Sequence, residues 1–375
     1  MSRIRVAIAG CGNVSNAYIP HLQGSPFVDL VAVCDQHERV DRQGEKFGID
    51  ARYSALDRMM SDVEFELFVN LTSMPSHGEL NRIALEAGKY VWSEKPMASD
   101  TATARELVDL ADRKRVKIWG APNTTTSPAF ALARDRIASG SIGTVHAAHG
   151  IYGHHGPEWG AWVYGSGGGS LWDLGVYNLT TLTGLLGPVE SVTAEMRTAI
   201  PERRIDGKPV RVEADDNVAL IMNHGDGVLS VVQTGFVYGA QKEDFTVQVI
   251  GTHGAIAIGG YDWDPLNVQI FTAETNRWVT CAERTGSRSL RDSATQPDSA
   301  VTASAPADPT EYAWQGGATY IAECLATGRD PIIRADHTLH VMEIMDQARV
   351  SSRTGRRCAV QSAFEWPAFG EGGKS

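Results

Sequence analysis

The chain has 375 residues, of which 42% are hydrophobic and 21% charged; this composition is ordinary for a globular protein, and the length allows two domains. Its formal net charge of −11 argues against nucleic acid or an anionic membrane as a partner, because both require a basic surface. The five cysteines are scattered without a CxxC pair, and no window has the length of a transmembrane helix, so we expect a cytoplasmic protein with neither disulfides nor a bound metal.

The first third of the chain alternates short apolar runs with helix-like segments. Residues 100–114 have helical spacing, with Ser99 or Asp100 as the predicted cap. The apolar runs have the continuous character of strands that are buried on both faces. They are RIRVAIAG (3–10), LVAVCD (30–35), ELFVNLT (66–72), KYVWSE (89–94) and VKIWG (116–120). Strands that alternate with helices predict βα units and a parallel sheet.

The first predicted strand ends in the turn AGCGNVSN. Gly10 and Gly12 match the first two glycines of GxGxxG, where a tight turn and a close pyrophosphate exclude a Cβ; Ser15 stands at the third position. Asp35 ends the second strand, 23 residues after Gly12, near the spacing of an acid that binds the adenosine ribose. The alternative interpretation is an ordinary βα turn that binds no ligand. The order of strand, glycine turn, helix, strand and terminal acid favours a binding site for NAD. Asp35 would repel the 2′-phosphate of NADP, whereas the presence of Arg39 leaves NADP as an alternative cofactor.

Beyond about residue 123 the apolar pattern changes to longer alternating runs. Residues 127–140 are predicted to be a helix that ends on a glycine. The runs at 191–200, 217–236 and 245–258 alternate, and their insets HGDG and GTHG are typical of tight turns, which predicts antiparallel hairpins. One face of such a sheet is expected to stay open or to pack against another subunit.

The last part of the chain contains one irregular segment and two helical patterns. Residues 286–310 are rich in Ser, Ala, Asp and Pro without apolar periodicity, which predicts a mobile surface loop. Helices are predicted around 311–327 and 336–352.

The stretch GSGGGSLWDLGVYNLTTLTGLLGP (165–188) joins a glycine-rich loop to a helical pattern that stops at Gly187. On this predicted helix Asp173 and Tyr177 are four residues apart, so they project from the same face near its N-terminal end. Alone, the pair is better explained as a helix cap and a half-buried tyrosine.

Together with Lys95, the pair suggests a catalytic site. Lys95 follows a core strand at the edge where doubly wound sheets bind ligands. Oxidation of a secondary alcohol by NAD requires a base for the hydroxyl proton, and a tyrosine with a pKa of about 10 is a poor one at neutral pH. Lowering that pKa by about three units corresponds to about 4 kcal/mol. An ammonium about 4 Å away supplies on the order of 4 kcal/mol at an effective dielectric constant near 20. The charge of Lys95 is therefore sufficient to make Tyr177 a base at neutral pH if the two side chains come together in the fold.

The AGCGN turn, TSMPSH (72–77), SEKP and GGGSLWDLGVYNL together resemble the Gfo/Idh/MocA family, named for glucose–fructose oxidoreductase and inositol dehydrogenase. The resemblance runs over nearly the whole chain, and EKP combined with GGGxxxDxGxY is fairly specific. It implies an α/β protein with a doubly wound, parallel Rossmann domain (1–122) and an α/β domain with a large, mainly antiparallel open sheet (123–375). The helix at 336–352 is expected to pack back on the first domain. A homo-dimer or homo-tetramer through the antiparallel sheet is also implied.

The resemblance further implies which residues contact the ligands. Glu94, Lys95 and Pro96 are expected beside the nicotinamide, with Lys95 reaching the substrate hydroxyl and Asp173 binding a substrate hydroxyl. Pro96 would fix the backbone there. The predicted cofactor contacts are Gly10, Gly12, Asn13, Val14, Asp35, Thr72, His77, Glu94, Lys95, Pro96 and Asn123. The predicted substrate contacts are Lys95, His155, Trp162, Asp173 and Tyr177.

The position of Tyr177 carries a histidine in many members of the family, where it acts as general base. A tyrosine at this position resembles the glucose–fructose oxidoreductase and dihydrodiol dehydrogenase branches. His154 and His155 are alternative proton carriers; they are equally well explained as polar loop residues near Trp159 and Trp162.

Three hypotheses of function follow from the residues and the resemblance. The first is an NAD(P)-dependent dehydrogenase or reductase that acts on a secondary hydroxyl of a sugar, cyclitol or related polyol, bound between the two domains. The second is a glycoside hydrolase that works through transient oxidation of the sugar by NAD. The third is a non-catalytic NAD-sensing protein, although such a protein would need neither Lys95 nor the Asp173–Tyr177 pair.

Overall fold

A computed structural model describes residues 3–36, 38–158, 160–240, 245–283 and 312–365. These residues form two compact units, one of residues 3–123 with 312–338 and the other of 124–283 with 339–365. The surface loop predicted at 286–310 lies outside the described residues. Across the described part of the chain, none of the helices combines the length and hydropathy needed to cross a bilayer.

The sheet of the first unit is parallel, as predicted. Its strands are β1 (Ile4–Ala9), β2 (Val28–Cys34), β3 (Arg52–Tyr53), β4 (Leu67–Asn70), β5 (Tyr90–Ser93) and β6 (Ile118–Gly120). Within the described residues it has six strands in the order β3-β2-β1-β4-β5-β6, all of them parallel. All five apolar runs are strands, and their side chains form the core because helices cover both faces. The strand order reverses beside β1, and such a switch point is where open α/β sheets bind ligands.

The helices of the first unit are α1 (Ser15–Gln23), α2 (Arg39–Phe47), α3 (Leu56–Asp62), α4 (His77–Glu86), α5 (Thr101–Lys114) and α8 (Gly317–Thr327). Asp100, rather than Ser99, caps α5, because its side chain accepts a hydrogen bond from the Thr103 N–H. Helix α8 packs against the first sheet, and Gly317 lies where any Cβ would overlap the Trp92 ring. The range predicted for the second domain thus contributes to both units, and the predicted domain boundaries stay a prediction.

The second unit contains the mainly antiparallel sheet. Its strands are β7 (Val145–Gly153), β8 (Ser191–Arg197), β11 (Asn217–Asn223), β12 (Leu229–Gly235), β13 (Val247–Gly251), β14 (Gly254–Gly260), β15 (Pro265–Thr272), β16 (Trp278–Glu283) and β17 (Cys358–Ala359). The described residues give nine strands in the order β16-β15-β14-β13-β7-β12-β11-β8-β17, with only β7 and β12 paired in parallel. The predicted hairpins are β11–β12 and β13–β14. A separate hairpin, β9 (Glu202–Ile205) and β10 (Lys208–Arg211), was not predicted.

In the part of this sheet formed by β11 and β12, one face is buried and the other is exposed. In β11 and β12 buried and exposed side chains alternate, as expected for an antiparallel sheet that is covered on one side. The helices of this part of the chain are α6 (Pro128–Ala138), α7 (Val176–Leu186) and α9 (Ala335–Thr354). α6 contacts β14 and β15, and α7 contacts β7, β12 and β13. Helix α9, predicted at 336–352, begins in the first unit and continues in the second.

Candidate functional site

The turn after β1 has the geometry of a dinucleotide-binding turn. Gly10 has φ of 101° and donates its N–H to the Cys34 carbonyl at 2.8 Å, and a Cβ at Gly10 would overlap the main chain of Leu71. At Gly12, in contrast, an added Cβ would have no protein atom within 4 Å. Packing therefore explains the glycine at position 10 but not at 12, and the contact of Gly12 with a pyrophosphate stays a prediction.

The remaining residues of this turn lead into helix α1. Ser15 is fully buried and donates its hydroxyl to the Gly12 carbonyl at 2.6 Å, which closes the turn in place of the third glycine. Asn13 is exposed and Val14 is half-buried just before the helix. The first N–H groups of a helix favour an anion, so this position fits the phosphates of a dinucleotide.

Asp35 lies beside the glycine turn at the end of β2. Its Oδ2 accepts a hydrogen bond from the Cys11 N–H at 2.8 Å, and its Oδ1 lies 3.7 Å from the Arg39 guanidinium. Burial, followed by the charge of Asp35, raises the pKa of the Cys11 thiol to about 12, so that thiol stays neutral next to the carboxylate. The fixed carboxylate fits the hydroxyls of a ribose.

Thr72 and His77 connect the ends of β4 and β5. Thr72 donates its N–H and its hydroxyl to Asn70 Oδ1 at 3.2 Å and 2.7 Å. The buried His77 ring has Nδ1 2.6 Å from the Pro96 carbonyl and Nε2 2.9 Å from the Thr72 carbonyl. Burial lowers the pKa of His77, and a neutral imidazole donates to one of these two carbonyls. His77 therefore holds the two turns together, and its contact with a cofactor stays a prediction.

The Glu94-Lys95-Pro96 segment is held by a buried hydrogen-bonded chain. Glu94 accepts the Tyr18 hydroxyl on Oε1 at 2.6 Å and the Lys95 main-chain N–H on Oε2 at 3.0 Å. Trp92 Nε1 donates to the same Tyr18 hydroxyl at 3.3 Å. Glu94 thus fixes the main chain at Lys95, whose side chain is half-buried and whose peptide bond to Pro96 is cis. Tyr18 is a site residue that sequence reasoning missed.

Asn123, the last residue of the first stretch of the first unit, contacts another part of the same unit. Its Nδ2 donates to the Ala313 carbonyl at 3.1 Å, and its side chain is buried. This bond ties Asn123 to the segment that leads into α8. A contact between Asn123 and the cofactor stays a prediction.

Asp173 lies in a turn that differs from the predicted one. Residues Leu171–Gly175 form a π-helical turn, and the regular helix α7 begins only at Val176, so Asp173 and Tyr177 do not share one regular α-helix. Gly175 favours the wider turn, because it carries no side chain against Leu171 and Thr234. Such π-bulges occur frequently at functional sites. Both Asp173 and Tyr177 are buried.

A second aspartate anchors the start of this turn. Asp215 Oδ2 accepts the Ser170 hydroxyl at 2.9 Å and the Leu171 N–H at 3.0 Å, while the Ser170 N–H donates to the Asp215 carbonyl at 2.9 Å. Burial raises the pKa of Asp215, and these hydrogen bonds oppose the rise. Asp215 was not predicted, yet it positions the turn that carries Asp173.

The segment after β7 carries the predicted aromatic and histidine contacts. His154 accepts the Gly156 N–H on Nδ1 at 2.8 Å and stacks on Phe236, with ring centroids 5.6 Å apart. His155 is exposed, Trp162 is half-buried against the neighbouring apolar cluster, and Trp159 lies outside the described residues.

Tyr164 links this segment to Asp173. Burial raises the pKa of Tyr164 to about 12; the charge of Arg203 opposes the rise, and the charge of Asp173 adds to it. Tyr164 also belongs to the same apolar core cluster as Leu174, the residue after Asp173. The predicted site residues fall into two groups, Lys95 with the glycine turn in the first unit and Asp173 with Tyr177 in the second.

Two family models match the chain, one in its first part and one in its second. One, described as an oxidoreductase family with an NAD-binding Rossmann fold, matches residues 4–121, and the GFO/IDH/MocA C-terminal domain matches residues 130–257. The chain belongs to the GFO/IDH/MocA oxidoreductase family. Membership confirms the predicted resemblance, the α/β fold, the oxidoreductase class and NAD as the cofactor.

Several known proteins are similar to this family member over most of its length. D-apiose dehydrogenase of Paraburkholderia graminis is 23% identical in an alignment 380 positions long, which covers 96% of this chain and 91% of that protein. Trans-1,2-dihydrobenzene-1,2-diol dehydrogenase of Mus musculus is 27% identical over 231 residues, 60% of this chain and 66% of that protein. A levoglucosan dehydrogenase solved with NADH and levoglucosan matches with a TM-score of 0.80 at 20% identity, covering 96% and 100% of the two chains, which shows a common fold.

Proposed function

We propose that this protein is an NAD-dependent dehydrogenase that oxidises a secondary hydroxyl of a sugar, cyclitol or related polyol, or reduces the corresponding ketone. The observation that carries the proposal is the buried Asp173–Tyr177 turn, anchored by Asp215, in a chain with an intact Glu94-Lys95-Pro96 segment. A protein that only senses NAD would need none of these groups. The relatives named as apiose, levoglucosan and dihydrodiol dehydrogenases support a substrate with hydroxyl groups on a small carbon skeleton.

The roles of the residues follow from their chemistry. Bound NAD supplies the acceptor for the hydride. Tyr177 takes the proton of the substrate hydroxyl as general base, and the Lys95 ammonium donates a hydrogen bond to the substrate. Asp173 accepts a hydrogen bond from a neighbouring substrate hydroxyl and so orients the carbon that loses hydride. Glu94 holds the main chain from which the Lys95 side chain extends.

The test is NADH absorbance with purified protein, NAD or NADP, and a panel of monosaccharides, inositols and glycosides. Lys95→Ala and Tyr177→Phe should each lower kcat by about 100-fold or more, the usual contribution of a general base and its partner. The double variant should lose less than the sum of the two free-energy losses, because residues that act as a unit are not additive. The exposed Lys117, which pairs with Asp112, gives the matched control Lys117→Ala with unchanged rates.

Other outcomes of the same assay identify the two alternative functions. Release of aglycone from a chromogenic glycoside in the presence of NAD, without net NADH, would replace the dehydrogenase by an NAD-dependent glycoside hydrolase. Binding of NAD without turnover of any polyol or glycoside would favour the sensor. Wild-type rates in Lys95→Ala would show that this lysine has no part in catalysis.

The second part of the proposal concerns the association of the chain with copies of itself. We propose a homo-dimer or homo-tetramer that buries the exposed face of the nine-stranded sheet, because Ile221, Leu229 and Val231 expose apolar side chains there.

The five cysteines lie within the described residues and are free thiols, which supports the reducing cytoplasm as the location.

A further inference from the structure

The hairpin β9–β10 contributes a buried arginine to the region of Asp173. This hairpin forms a two-stranded sheet of its own among the described residues. The side chain of Arg203 in β9 is only 11% exposed, whereas its neighbour Arg204 is exposed to solvent. A buried arginine is stable only where acceptors replace the water around its guanidinium, and the acceptors of Arg203 belong to distant segments of the chain.

The guanidinium of Arg203 joins three segments of the second unit. It donates to the carbonyl of His155, to the carbonyl of Phe236 at 2.7 Å, and to Asp216 Oδ2 at 3.3 Å. Its central carbon lies 5.2 Å from the centroid of the Tyr164 ring. A planar group with several fixed donors can satisfy these contacts together, and a lysine ammonium cannot match that geometry.

Asp216, the ion-pair partner of Arg203, is itself held by main-chain N–H groups. Asp216 is fully buried, and its two oxygens accept the N–H groups of Ala199 at 2.6 Å and Ile200 at 2.9 Å. The charge of Arg203 offsets the burial of this carboxylate. Asp216 follows directly after Asp215, so adjacent carboxylates anchor the π-helical turn and, through Arg203, the segment that contains His155.

The segment His154–Pro157 is fixed between Arg203 and Tyr164. The Tyr164 hydroxyl donates to the Pro157 carbonyl at 2.7 Å, and Gly156 has φ of 93°. A Cβ at Gly156 would crowd the Tyr164 hydroxyl and the Arg203 guanidinium. Close packing of this kind leaves the segment one conformation while Arg203 is in place.

We propose that Arg203 is a positioning residue for the substrate site: it holds the segment His154–Pro157 and the ring of Tyr164 in the arrangement that shapes the site beside Asp173. The inference rests on the proposed function, since it assumes that a substrate binds at Asp173. Arg203 acts through its carbonyl partners and Tyr164, without a contact to the substrate. Loss of its contacts weakens the substrate complex and its transition state alike, which raises KM and leaves kcat unchanged.

Steady-state kinetics on a polyol that the wild type oxidises test this role. Arg203→Lys keeps the charge but loses the planar donors, and Arg203→Met removes the charge; Arg204→Lys and Arg204→Met on the exposed side of the same strand are the matched controls. In both Arg203 variants we expect KM to rise about tenfold, with kcat within about twofold and an unchanged dissociation constant for NADH. Wild-type KM in both would overturn the proposal. A fall in kcat without a rise in KM would also overturn it.

Amide hydrogen exchange of the protein without substrate separates this inference from the proposed function. In Arg203→Lys the amides of residues 154–158 and 160–164 should exchange faster than in the wild type, while Arg204→Lys leaves them unchanged. A wild type that oxidises no polyol, together with faster exchange in Arg203→Lys, would refute the proposed function and retain the structural role of Arg203. Wild-type exchange in Arg203→Lys would refute that role whatever the activity. Faster exchange throughout the second unit would mean general destabilisation and would also refute it.

Discussion

The carboxylate of Asp35 is the group that we predict to make the first unit prefer NAD to NADP. Its hydrogen bond from Cys11 fixes it beside the glycine turn, and Arg39 lies 3.7 Å from its other oxygen. In this arrangement the positive charge of Arg39 is paired with Asp35. A 2′-phosphate would therefore meet the charge of Asp35, whereas the free ribose hydroxyls of NAD would donate to it.

Asp35→Asn should move the preference from NAD toward NADP. The amide keeps an acceptor for the Cys11 N–H, removes the repulsion of a phosphate and leaves Arg39 without its paired charge. A hydrogen bond to a charged group contributes about 1.5–3 kcal/mol, so we expect the dissociation constant of NAD to rise about tenfold or more. Titration of protein fluorescence with NADH and NADPH measures both constants. Asp29→Asn on the exposed edge of the same strand is the control, and an unchanged ratio in Asp35→Asn would exclude this role.

The residues that sequence reasoning found and those that it missed differ in how local their contacts are. Gly10, Gly12 and Asp35 belong to one strand–turn–helix–strand unit, and their spacing along the chain is a direct consequence of that geometry. Tyr18, in contrast, reaches Glu94 across 76 residues. Asp215 reaches Ser170 across 45 residues, and Arg203 reaches His155 across 48. No spacing rule covers such pairs, because the folded chain alone brings them together.

At the level of elements, helix α9 holds the C-terminal segment of the described chain. His340 accepts the Val189 N–H on Nε2 at 2.8 Å, so its proton is on Nδ1, 3.0 Å from the Ser362 carbonyl. Glu343 accepts the N–H groups of Gln361 and Ser362, both at 2.8 Å. Burial lowers the pKa of His340 to about 4, although the charge of Glu343 opposes the shift, and His224 adds to it.

This histidine should make the fold sensitive to mild acid. The unfolded chain takes up the proton near pH 6.5, and the folded chain only near pH 4, so the free energy of unfolding falls as pH decreases through that window. The difference corresponds to a loss of about 3 kcal/mol. In His340→Gln, which retains an acceptor and a donor, urea unfolding at pH 7 and pH 4.5 should show a smaller difference. The exposed His146→Gln is the control, and an equal difference in wild type and His340→Gln would contradict the assignment.

Regular elements could be predicted where the apolar period is clear, as in the five parallel strands and the two hairpins. The hairpin β9–β10 has little apolar periodicity, since Glu202 and Arg204 are exposed and Pro209 interrupts its second strand. The π-helical turn keeps helical spacing on both sides, so its extra width is invisible in the sequence. Both exceptions contribute to the candidate site, where local preferences often yield to function.

On the scale of the whole molecule, the sequence indicates two sheets but not the path of the chain between the units. Helix α8 follows strand β16 of the second sheet in sequence and nevertheless belongs to the first unit. Its fit depends on Gly317 against Trp92, a contact between residues that are far apart in the chain. The sequence pattern supports a domain boundary at residue 122. Only the folded structure shows that helix α8 returns to the first unit.

The exposed face of the second sheet is the surface that the proposed homo-dimer or homo-tetramer would bury. Ile221 is 50% exposed and lies directly opposite Val231, which is 38% exposed, on the adjacent strand. Their side chains lie on the face of the sheet away from the buried core. A paired surface of this kind is suited to self-association, because a second copy would cover the same apolar side chains.

The double variant Ile221→Glu with Val231→Lys should therefore reduce the mass of the particle to that of the monomer. The two charges are cross-strand neighbours, so they support each other on an exposed sheet, but burial between two copies would be costly. Sedimentation analysis gives the mass, and thermal unfolding of the monomer checks that the fold is intact. Ile200→Glu, which changes an exposed isoleucine outside the nine-stranded sheet, should leave the assembly unchanged. Equal masses for the wild type and the double variant would exclude this face as the interface.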